Sequence, residues 1–112
     1  MKEIKAYIHR NRIANVIQAL KDSEPFAGRN GASHHNLTAH PVKGSLSVLN
    51  EHDRHYSLDL GDSGIDRYKL EFVCRDEDAD VLVSVIRETA HTGRGNSGWV
   101  YVTDVLRVER IE

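Results

Sequence analysis

Apolar and polar residues alternate from Lys2 to His9, with Ile4, Ala6 and Ile8 on one side and Lys5 and Tyr7 on the other. This is the two-residue period of a half-buried strand. From Asn11 the period changes. Ile13, Val16, Ile17 and Leu20 fall at i, i+3, i+4 and i+7, which predicts a helix capped by Asn11 and ending near Asp22. Ser23 to Ser33 holds Pro25, Gly28, Asn30 and Gly31, residues that accept turn geometry, and reads as a loop. Strand character returns from Asn36 to Val48, with Pro41 removing one backbone donor and placing that strand at an edge or a bulge.

No apolar period is sustained between Asn50 and Asp66, where charges, His52, His55, Gly61 and Gly64 accumulate. This is a long loop, a setting that in compact domains usually carries function. Tyr68, Leu70, Phe72 and Cys74 then alternate along a third strand. The acidic run Asp76-Glu77-Asp78 suits the positive end of a helix, whose core face is Ala79, Leu82, Val83 and Ile86. That helix is expected to stop before the glycines of residues 92–98. Trp99 to Val102 reads as a fourth strand and Val105 to Ile111 as a short closing strand.

The order is β-α-β-β-α-β, the ferredoxin-like arrangement of an α+β protein in which two helices cover one face of an antiparallel sheet. A long loop separates strands two and three, and residues 1–112 form a single domain. A chain of 112 residues is long enough for one workable core without disulfides or structural metal. Cys74 is the lone cysteine, so no intrachain disulfide is possible, and its place after Phe72 and Val73 predicts a buried, inert thiol. The formal charge of −2 gives no general attraction to nucleic acid. No segment approaches the roughly 20 apolar residues of a spanning helix, and the opening Met1-Lys2-Glu3-Ile4 lacks the apolar core of a signal peptide. The expectation is a cytoplasmic protein with no direct membrane insertion.

Three pieces, in matching order and spacing, resemble the PII family of signal-transduction proteins. Met1-Lys2-Glu3-Ile4-Lys5-Ala6 is similar to that family's first strand. Leu37-Thr38-Ala39-His40-Pro41-Val42-Lys43-Gly44 is similar to its second strand leading into the T-loop. Thr92-Gly93-Arg94-Gly95-Asn96-Ser97-Gly98-Trp99-Val100-Tyr101-Val102 resembles the B-loop and the strand after it. The resemblance implies a homotrimer that binds an adenine nucleotide (ATP, ADP or AMP) as effector between subunits and regulates a partner enzyme or membrane transporter through the T-loop. Glycine-rich backbone can approach a phosphate and aim amides at it, with a nearby arginine adding charge-assisted bonds. The expected phosphate contacts are therefore Gly95, Asn96, Ser97 and Gly98, helped by Arg94 and Arg110, and the resemblance implies that Thr38 lies beside the adenine. The other reading of residues 93–98 is a flexible turn.

The sequence also departs from that pattern. Where typical members carry a glutamine that helps hold magnesium and 2-oxoglutarate, Val48 offers no ligand atom. Trp99 replaces a phosphate-binding lysine, and Glu112 occupies the final cationic position. Trp99 is then either interface core or a nucleotide stacker. In the long loop Arg54, Tyr56 and Leu58 are the expected partner-facing residues, since arginine and tyrosine carry much interface energy. Tyr56 is also a candidate for modification.

Seven histidines raise a rival, metal-responsive (zinc or copper) regulator of the same fold, with His34 and His35 as candidate ligands. Adjacent residues of an extended strand point to opposite sides, and His40 lies about 20 Å from His34 along such a strand, so one metal would need a bulge or a second subunit to gather them. An enzyme is not expected: the chain holds no Gly-x-Ser-x-Gly elbow, paired-cysteine site, His-Glu-x-x-His helix or Gly-Lys-Ser/Thr phosphate loop.

Overall fold

A computed structural model of the chain describes residues 1–28, 36–44, 55–57, 62–93 and 98–112. Strand β1 (Lys2–His9) leads to helix α1 (Ile13–Asp22) and a four-residue helical turn, α2 (Glu24–Ala27). Strands β2 (Thr38–Gly44), β3 (His55–Ser57) and β4 (Asp62–Cys74) follow, then a 3-10 turn at Asp76–Asp78, helix α3 (Ala79–Ala90) and strand β5 (Gly98–Asp104). The strands pair antiparallel in the order β2-β4-β1-β5, with β3 added to the start of β4. This is the ferredoxin-like α+β fold expected from the residue pattern.

The alternation in β1 and β4 decides which face of the sheet is buried. Ile4, Ala6 and Ile8 stand in register with Phe72, Leu70 and Tyr68, and all but Tyr68 belong to the core. Val16 and Leu20 of α1 and Leu82 and Ile86 of α3 close it from above. Each aliphatic side chain taken fully out of water in this way contributes about 1.5–3 kcal/mol. Cys74 lies in the same cluster. Burial, with Asp78 adding to it, pushes its thiol up to about 11. The other face of the sheet carries Lys5, Tyr7, Lys69, Glu71, Trp99 and Tyr101. There Lys69 stands 3.4 Å from Glu71, and the rings of Tyr7 and Tyr101 meet edge to face at 6.2 Å.

Several elements differ from the sequence expectation, among them β3, which lies within the stretch expected to be a long loop. Helix α1 starts at Ile13 rather than beside Asn11, because a turn intervenes. The Arg12 amide donates to the His9 carbonyl (2.8 Å), and the Asn11 amide to His9 Nδ1 (3.1 Å). Arg12 is thus the residue that caps the helix, through its backbone carbonyl, which accepts from the Val16 amide. Within the expected loop after α1, Pro25 starts the α2 turn and is buried, and the Phe26 ring packs edge-on against Phe72 at 5.5 Å. Strand β4 begins at Asp62, not at Tyr68. Its first residues pair with β3 and with the end of β2, a backbone pairing that needs no apolar alternation in the sequence.

The last difference is a correction. Val105 to Ile111 does not form the expected closing strand; residues 105–112 take no regular structure. Register gives the reason. Lys2 pairs with Asp104 and the Val105 amide donates to the Met1 carbonyl (3.0 Å), and the ladder between β1 and β5 runs no further. Leu106 and Ile111 are consequently 97% and 98% exposed.

Candidate functional site

The glycine-rich segment departs from the end of α3, and that end is tied down. Arg12 donates from Nε to the Thr89 carbonyl at 2.9 Å, satisfying one of the carbonyls that a helix leaves without an intrahelical partner in its last turn. The Thr89 hydroxyl donates back to the Val85 carbonyl at 2.7 Å. His91 then turns to extended backbone, and Gly93 adopts φ +83°, a conformation glycine enters without steric cost. The Gly93 amide donates to His91 Nδ1 at 2.9 Å.

At the other end of the segment Gly98 opens β5, in register with Ile8. A Cβ there would overlap the Tyr7 carbonyl oxygen, so this glycine is required by the close approach of β5 to β1 whatever else it touches. Arg94, Gly95, Asn96 and Ser97 lie outside the described residues.

Thr38 is the first residue of β2 and is exposed. The preceding turn includes Asn36 at φ 45°, a left-handed conformation that asparagine tolerates better than most residues. Thr38 and Gly98 sit on opposite edge strands, β2 and β5, with β4 and β1 between them. Three strand spacings separate those edges, about 14 Å across the sheet. Arg110 is exposed in the tail beyond the far end of β5 from Gly98. One chain therefore holds Thr38 and Gly98 on opposite edges of its sheet and not side by side.

Sequence reasoning did not single out Arg67. It occupies the open side of β4, in register with His9 of β1 and Val42 of β2, and is only 5% exposed. The available signal was the run of charges Arg67, Lys69 and Glu71 on the side of β4 opposite its core residues. Arg107 was also passed over; it lies in the tail, with Nη2 at 2.9 Å from Glu109.

The opposite end of the sheet holds a separate set of ion pairs. The Met1 ammonium contacts Asp76 at 2.6 Å, and Lys2 pairs with Asp104. The hydrogen bond and charge of the ammonium hold the Asp76 carboxyl below the usual carboxylate range. Arg75 Nε donates to the buried Asp78 carboxylate at 3.1 Å, which raises the guanidinium further.

Of the expected partner-facing residues, Tyr56 belongs to β3, where its backbone pairs with Ser63. Arg54 and Leu58 lie outside the described residues, as do Val48, His34 and His35. Among the described residues no three His, Cys, Asp or Glu side chains gather at metal-binding distance, and no helix is long and apolar enough to cross a membrane.

Comparison with known proteins finds a match over the full length of the chain. The family model described as nitrogen regulatory protein P-II matches residues 1–112. Nitrogen regulatory protein P-II 1 of Methanothermobacter thermautotrophicus is 31% identical over 111 residues, covering 99% of this chain and 89% of the relative. The P-II proteins of Pasteurella multocida and Rhizobium meliloti are 30% and 28% identical over 111 residues, each match covering 99% of this chain and 91% of the relative.

Proposed function

The chain belongs to the P-II family of nitrogen regulatory signal-transduction proteins, and from that membership we propose that it is a homotrimeric sensor of an adenine nucleotide. The nucleotide lies between the 93–98 segment of one subunit and Thr38 on β2 of its neighbour. Gly95, Asn96, Ser97 and Gly98 supply backbone or short polar contacts to the phosphates, and Arg94 and Arg110 supply charge. The protein acts as a regulator, not as an enzyme.

One observation carries the intersubunit placement: Thr38 and Gly98 are on opposite edges of the same sheet, so a cleft that uses both is completed by a second copy. The exposed apolar side chains of β5 and the tail, Trp99, Tyr101, Leu106 and Ile111, give such a copy a surface to cover. Occupancy of the cleft biases residues 45–66 between states that differ in their affinity for the nucleotide, and Arg54, Tyr56 and Leu58 meet a regulated enzyme or transporter. Because Val48 has no ligand atom, the nucleotide binds without the usual coupling to magnesium and 2-oxoglutarate.

The test is calorimetric titration of ATP, ADP and AMP into metal-free protein of measured mass, with and without magnesium and 2-oxoglutarate. Saturable binding of at least one nucleotide, one per subunit, is the expected result, with no gain from 2-oxoglutarate. Silence from all three overturns the nucleotide site. Zinc and copper titrations would then decide whether the metal-responsive reading replaces it.

A further inference from the structure

We draw no further inference here: the strongest candidate, the face of the sheet opposite the helices that carries Lys5, Tyr7, Lys69, Glu71, Trp99 and Tyr101, is an unpartnered surface, and nothing in the structure shows what covers it.

Discussion

Gly98 packs so closely on Tyr7 that a side chain at residue 98 would overlap the Tyr7 carbonyl oxygen and lie 3.3 Å from its carbonyl carbon. The obstacle is backbone and cannot rotate away. Gly98→Ala must therefore displace β5 from β1 at its first rung, at a cost of about 1–3 kcal/mol, the range for overpacking a close-packed site. Urea denaturation should show a lower midpoint. An unchanged midpoint would mean that β5 begins further along than Gly98.

The Cys74 thiol is inert by burial and by charge. It is 1% exposed and pushed up to about 11, so at pH 8 almost none of it is thiolate, the form that reacts. Ellman's reagent at pH 8 should label the native protein many times more slowly than the urea-unfolded one. Equal rates would place the thiol at the surface.

Asp76 supplies an acid-sensitive contribution through the Met1 ammonium. Its folded value lies below the ordinary 3.8, so the stabilisation is complete above that pH and fades as pH falls through the lower folded value. Both partners are well exposed, which keeps the effect small and open to salt screening. Wild type and Asp76→Asn should differ slightly in urea midpoint at pH 6 in low salt, and the difference should shrink as pH falls below 3.8. A difference that does not change with pH would assign the effect to packing instead of charge.

Where one face of an element is buried, the sequence was readable. Ile4, Ala6 and Ile8 pair with their counterparts on β4 as alternation required, and Val16, Leu20, Leu82 and Ile86 meet them from the helices. Boundaries set by backbone bonds were not readable. The turn that delays α1 depends on a His9 ring nitrogen, and the early start of β4 depends on pairing by residues with no apolar signature. The tail failed for another reason: its apolar residues suit a strand, but residue type does not say whether a partner strand is within reach. The glycines at residues 93 and 98 were legible as turn and close-approach positions, while the bonds of His91 and Arg12 depend on contacts that spacing cannot reveal.

The same tail yields the last prediction. Leu106 and Ile111 are almost wholly exposed in a single chain, and Val108 is 57% exposed. Leaving each of the first two in water forgoes about 1.5–3 kcal/mol of burial. Beside them β5 is an edge strand carrying Trp99, Tyr101 and Val102, all 40% exposed or more, with backbone groups along its outer side open to pairing. In the proposed trimer, neighbouring copies cover this surface and the 12.7 kDa chain sediments at three times that mass. Leu106→Asp combined with Ile111→Asp places charge where that cover would lie while leaving the core of the single chain untouched, so it should lower the sedimenting mass without unfolding the subunit. A wild type that sediments at 12.7 kDa would remove the trimer from the proposal. A double variant that stays trimeric would place the interface elsewhere on the sheet.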